Sequence, residues 1–263
     1  MKTLCRILDF LLTAAALTAA ALAATGSPAK PANLAIQPIV HPDTEASLAQ
    51  MKETASHGGA DIVFIGDELT NLWDENTPDV DSPLTGFKVW EKVWEPLRAA
   101  NFGLGGDRTE NVLWRIDQGM MDGLKPKVIV LLIGKNNIVA QGRTVPELPG
   151  VIYHCTPKET AEGVKAIIDR LQKKCPTSKI VLLGIFPMGP KDDKIRLQIR
   201  ATNSIIRNYE DNRRVYYMDL SPKFLTPAGA VNLKLLPDSE RLSGNGYQVW
   251  ADAILPKMLE LMK

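Results

Sequence analysis

The sequence predicts an α/β protein: a three-layer α/β/α sandwich around a five-stranded, mostly parallel sheet. Three observations carry this. Short apolar runs of strand length recur along the chain, helical segments separate them, and glycine-rich turns follow the first three runs. Strands alternating with helices make a parallel sheet covered on both faces.

The elements follow in order. Asp61 to Ile65 is an apolar run that stops at Gly66 and reads as a buried strand. Glu68 to Trp73 begins a helix, and Asp74 to Thr85, rich in Asp and Pro, reads as a loop. Phe87 to Leu97 places Trp90 and Trp94 at helical spacing, as packing residues. Ala100 to Phe102 is the second strand, and Thr109 to Ile116 a helix with Thr109 as its cap. Val128 to Ile133 is the most strand-like segment. Lys158 to Lys173, Lys179 to Ile185, Asp192 to Tyr209 and Val215 to Leu220 continue the alternation, and a last helix runs from Gly244 to about Met262. No internal repeat is visible.

A chain of 263 residues with 45% apolar content has room for one sizeable domain with a real core. Its 31 basic residues against 30 acidic ones argue against a nucleic-acid partner. The N-terminus reads as an export signal over residues 1–24: Lys2 and Arg6 give a basic start, Phe10 to Ala24 is apolar, and Ala21-Leu22-Ala23 suits cleavage. The apolar run is shorter than the ~20 residues that span a bilayer. The expectation is an exported protein, periplasmic or extracellular, without a transmembrane segment once the signal is removed. Residues 25–56 read as a spacer and N-terminal segment, and 57–263 as the domain. Cys5 leaves with the signal. Cys155 and Cys175 flank a predicted helix of ~24 Å, far beyond the ~7 Å reach of a disulfide, so both are expected as free, buried thiols.

Ligands of open parallel sheets bind at the carboxyl ends of strands, near the point where strand order reverses. Three segments meet that rule: Gly66 to Glu68, Gly103 to Asp107 and Gly134 to Asn137. Gly103-Leu104-Gly105 begins like a dinucleotide fingerprint but has Arg108 at the sixth position, and Gly134-Lys135 lacks the earlier glycine of a phosphate loop. His41, His57 and His154 have no metal-ligand spacing, and the acidic residues Asp74, Glu75, Asp79 and Asp81 read as a solvated loop. No cofactor or metal is expected.

Taken together, these strand ends match one pattern. Ile65 to Thr70 resembles block I of the SGNH (GDSL-type) hydrolases, normally Gly-Asp-Ser. Asn101 to Thr109 resembles block II, Gly134 to Asn137 block III, and Pro237 to Ser243 with Gly246-Tyr247 block V. The match runs from about residue 57 to the C-terminus, and it looks most similar to the catalytic subunits of platelet-activating-factor acetylhydrolase. The resemblance implies the flavodoxin-like SGNH fold and a carboxylic-ester substrate. It also implies an oxyanion hole of Gly106, Asn136 and the Glu68 backbone N–H, and a triad acid at Asp238. The nucleophile position holds Glu68 and the histidine position Arg241.

Both substitutions disable serine-esterase chemistry. Glu68 has no hydroxyl, and Arg241 stays protonated and cannot act as a base. A carboxylate facing a guanidinium makes a charge-assisted pair, so Glu68 is expected to pair with Arg241, with a carboxylate oxygen in the old oxyanion hole. Lys135 departs from the usual block III Thr. It either points into the pocket, where with Asp67 it would contact substrate, or faces solvent. The long segment 138–157 either reshapes the pocket or is a surface insertion. The first functional reading is a degenerate hydrolase that binds a small-molecule, glycan or ester ligand. The alternatives are an active hydrolase using Glu68 as general base on water, and a structural module with its pocket closed.

Overall fold

The structure, a computed structural model, describes residues 32–42, 44–57, 59–75 and 84–263. The expected export signal and the acidic loop positions Asp79 and Asp81 lie outside these residues.

Five strands form the sheet: β1 (Ile62–Gly66), β2 (Ala99–Gly103), β3 (Val128–Leu132), β4 (Lys179–Leu183) and β5 (Val215–Met218). All pair in parallel, in the order β2-β1-β3-β4-β5. The chain steps outward from β1 to β2, then returns to lay β3 on the other side of β1. The reversal of strand order therefore lies between β1 and β3.

The helices are α1 (Thr44–Ser56), α2 (Glu68–Asn71), α3 (Phe87–Val89), α4 (Thr109–Asp117), α5 (Lys135–Val139), α6 (Pro157–Lys174), α7 (Lys194–Ile206) and α8 (Gly244–Leu261). α3 continues through one wide turn at Trp90–Trp94. The local sequence explains the clearest start. Thr156 and Glu159 exchange hydrogen bonds across the first turn of α6, with Pro157 at its first position. At α4 the cap lies one residue earlier than expected: Arg108 holds it, and the Thr109 N–H donates to Asn137 Oδ1 at 3.0 Å.

Side chains alternate across the strands, so each strand feeds two cores. Val63, Ile65, Ile129 and Leu131 meet Val112, Ile116, Val164 and Ile168 of α4 and α6. Ile62, Phe64, Val128 and Val130 meet Trp73, Trp90, Trp94 and Trp250. Phe64 stands edge-on to three of these tryptophans, with ring centroids 5.1–6.0 Å apart, the arrangement that ring quadrupoles favour.

Part of the segment 25–56, read as a spacer and N-terminal segment, is packed. Asn33–Lys263 form one compact unit, and Leu48, Met51 and Ala55 of α1 enter the α4–α6 core. Their spacing of three and four residues puts them on one helix face, but a lone Leu and Met in a polar helix make a faint stripe. The segment 138–157 is packed as well. Val145, Tyr153 and Cys155 cluster with Ala35 and Ala140, and the Tyr153 hydroxyl accepts from Asn137 Nδ2 at 2.8 Å. Cys155 and Cys175 are buried free thiols at opposite ends of α6. Burial pushes the Cys155 thiol up to about 11, leaving it protonated and unreactive.

Candidate functional site

The ends of β1, β2 and β3 converge where strand order reverses, as parallel-sheet geometry requires. β1 runs directly into α2, whose cap is Asp67: its Oδ1 accepts from the Leu69 N–H at 3.0 Å. α2 lies so close to β2 that a β-carbon on Gly103 would sit 2.3 Å from the Asn71 nitrogen. Only glycine permits that approach. It brings the first residue of α2, Glu68, beside the turn after β2.

Three elements meet at the Glu68 carboxylate. Oε2 accepts from the Gly106 N–H at 3.3 Å and from Asn136 Nδ2 at 2.8 Å. Oε1 bonds to Lys135 Nζ. Gly106 turns its N–H inward because it holds a left-handed conformation, φ +80°. Asn136 also donates to the Asp107 carbonyl at 3.1 Å, which ties α5 to the β2 turn. One residue on, Asn137 turns the other way and bonds Thr109, Glu110 and Tyr153. The two adjacent asparagines thus do different work, one at the site and one in the scaffold.

Lys135 points inward; its side chain is 6% exposed and that of Glu68 27%. Burial opposes charge on Glu68, but the Lys135 ammonium and the bonds from Lys135 and Asn136 win and hold its carboxyl below the ordinary value. Burial likewise disfavours the Lys135 ammonium, yet the charges of Asp67 and Glu68 hold its pKa above the ordinary value. Asp67 is the group left in excess. Burial, and then the Glu68 charge, push its carboxyl up to about 7.

A carboxyl raised in the folded state keeps a proton that the unfolded chain releases from about pH 4 upward. Its contribution to stability is therefore present at the acid end and lost as pH rises toward 7. Asn caps a helix as well as Asp, so Asp67→Asn keeps the cap and removes the titration. Between pH 5 and 8 the melting temperature of the unaltered protein is expected to fall about 4 °C more than that of Asp67→Asn. Parallel melting curves that track each other across that range would refute the assignment.

The expected Glu68–Arg241 pair is not formed. Glu68 pairs with Lys135, and Arg241 Nε donates to Asp238 Oδ2 at 2.7 Å. The reason is local. Asp238 Oδ1 accepts from the backbone N–H groups of Glu240 and Arg241 at 3.0 and 2.7 Å, and this tight turn lays the Arg241 side chain back over its own Asp. The pair is solvent-exposed, at 51% for Arg241 and 35% for Asp238. Slight burial works the other way, but the turn bonds and Arg241 hold the Asp238 carboxyl below its usual range. Lys135 meanwhile reaches Glu68 from the neighbouring strand end. Asp67 faces the helix backbone as a buried cap rather than an open pocket.

Residues 64–249 match the GDSL-like Lipase/Acylhydrolase family. The chain belongs to this family. The matched stretch includes Glu68, Gly106, Lys135 and Asn136, which meet at the Glu68 carboxylate. A platelet-activating factor acetylhydrolase IB subunit alpha2 of Rattus norvegicus is 30% identical over 188 residues, 71% of each chain. The alpha1 subunit of Homo sapiens is 29% identical over 203 residues, 77% of each chain. Among solved structures, a GDSL-like lipase from Bacteroides thetaiotaomicron VPI-5482 superposes with a TM-score of 0.61 at 14% identity, over 81% of this chain and 98% of that one. That likeness is one of fold. Among the described residues, no helix is long and apolar enough to cross a membrane.

Two residues at the rim of the Glu68 cluster carry no signal in the sequence. His41, from the segment before α1, places Nε2 3.1 Å from where a β-carbon on Gly106 would sit. Glu147 Oε1 lies 3.8 Å from the same nitrogen, and its other oxygen 2.8 Å from Arg108 NH2. His41 lies 27 residues before Glu68 and Glu147 lies within residues 138–157, so neither falls in the strand-end segments that the sequence singles out.

Proposed function

We propose that this GDSL-family chain is an exported, catalytically degenerate hydrolase whose ester-hydrolase scaffold serves to bind a small-molecule or glycan ligand. The observation that carries the reading is the position of Glu68 Oε2 on the Gly106 N–H and Asn136 Nδ2. Two of the donors that stabilise an oxyanion in an acting esterase are engaged here by a carboxylate of the chain itself. Glu68 offers no nucleophilic hydroxyl. Arg241 is half-exposed, and Asp238, the retained triad acid, is committed to it. The relatives named as acetylhydrolases support an ester as the ancestral substrate. Export rests on the pattern of the first 24 residues.

The alternative, Glu68 as general base on water, is disfavoured by the same geometry. The oxygen on the two donors would have to leave them for the hole to function, and the Lys135 charge makes the carboxylate a weak base.

Hydrolysis of 4-nitrophenyl acetate tests both readings. The natural chain is expected to show only the buffer rate. A Glu68→Ser/Lys135→Thr/Arg241→His variant restores hydroxyl and base and frees the two donors; it is expected to run at least about tenfold above background. Hydrolysis by the natural chain that Glu68→Gln abolishes would overturn the degenerate reading.

A further inference from the structure

A concave site lies away from Glu68, between α7, the carboxyl end of β5 and the turn that follows it. It is a cavity of about 390 Å³, within the size range of small-molecule pockets. Its body is apolar: Pro187, Ile199, Pro222 and Leu225 line it beside the Tyr217 ring. Its polar lining is strongly one-sided. Arg196, Arg200 and Arg207 come from the α7 side and Lys191 from the loop before it, against a single carboxylate, Asp219.

None of these four cations has a carboxylate partner among the described residues. Arg196 is 3% exposed. It makes only two long hydrogen bonds, to the carbonyls of Met188 at 3.2 Å and Gly189 at 3.3 Å. Burial and then the neighbouring Arg200 charge both disfavour its charged form. Arg200 stands one helical turn on, so both guanidinium groups border the same space. Asp219 is itself engaged, accepting from the Ser221 N–H at 2.9 Å. Burying an unpaired guanidinium beside a second cation is costly. The arrangement makes sense where an anion completes it, and planar guanidinium groups match the two oxygens of a carboxylate or phosphate.

We propose that this pocket binds a small organic anion, its acidic group on Arg196, Arg200 and Arg207 and an apolar or ring body against Ile199 and Leu225. The site is separate from the Glu68 cluster and shares no lining residue with it. It would give the chain a binding function that needs neither serine nor histidine.

Titration of the full chain by calorimetry at physiological salt, with three probes, tests this. Benzoate carries both charge and ring, benzyl alcohol the ring alone, and inorganic phosphate the charge alone. Benzoate is expected to bind saturably, with benzyl alcohol and phosphate each at least about tenfold weaker. Arg200→Gln/Arg207→Gln, both at exposed positions, is expected to weaken benzoate at least about tenfold without moving the melting temperature. Asp219→Asn should act in the opposite sense and tighten benzoate about threefold, since it removes the one carboxylate in the lining. No saturable benzoate binding in the millimolar range, or binding unchanged in the double variant, overturns the proposal. Phosphate binding as tightly as benzoate would overturn the apolar part of the assignment.

Discussion

Lys135→Met is expected to lower the stability of the folded chain by about 2–4 kcal/mol at pH 7. Methionine keeps the length of the stem, so packing is nearly conserved. What disappears is the cation that neutralises two adjacent carboxyl groups. Glu68 and Asp67 would then face each other in a site where burial already drives the Asp67 carboxyl up to about 7. The expected cost is at the lower end for a broken buried pair because Glu68 is 27% exposed and partly solvated. Without Lys135, both carboxyl groups are raised in the folded state, so the lost stability should return as pH falls from 7 toward 5. Urea unfolding at the two pH values reads this directly. The double variant Glu68→Gln/Lys135→Met removes cation and carboxylate together and should recover most of the loss, a coupling that a double-mutant cycle isolates. A cost independent of pH, or no recovery in the double variant, would mean that Lys135 acts through packing alone.

Arg115→Met is expected to cost more, about 3–5 kcal/mol. Arg115 and Asp107 are both 0% exposed. Arg115 Nε and NH2 bond to Asp107 Oδ2, and NH1 donates to the Phe102 carbonyl at 3.0 Å. Burial pushes the Asp107 carboxyl upward and the Arg115 charge opposes it, so removing the arginine strands a carboxylate in the core. Asp107→Asn/Arg115→Met leaves a neutral amide in that place and should restore at least half of the lost stability. The measurement is again the urea midpoint, which must shift without a change in slope for the comparison to hold. Since the Asp107 carbonyl accepts from Asn136, the single variant should also disturb the Glu68 cluster. If Arg115→Met costs less than about 1 kcal/mol, Asp107 has simply taken up a proton, and the pair contributes little.

The fold was legible because it depends on patterns within short windows. Val128 to Leu132 is an unbroken apolar run because both faces of β3 are buried, and the amphipathic stripe of α6 sits between a capping box and Cys175. The glycine-bounded strand ends pointed to Glu68, Gly106 and Asn136, which do meet at one place. The Asp238–Arg241 turn was legible in principle, since an Asp three residues before an Arg can close such a turn by itself. The weak amphipathic stripe of α1 hid its packing role.

From the sequence alone followed the α/β sandwich and the convergence of Glu68, Gly106 and Asn136 at strand ends. These depend on residue identity and on periodicity along the chain. Only the tertiary structure decided which charges pair there. Glu68, Lys135 and Arg241 lie far apart in the chain, and their partners are chosen by where three strand ends and a local turn place each charged group. Lys135 reaches Glu68 because β3 lies directly beside β1, whereas Arg241 is held by the nearer carboxylate of Asp238.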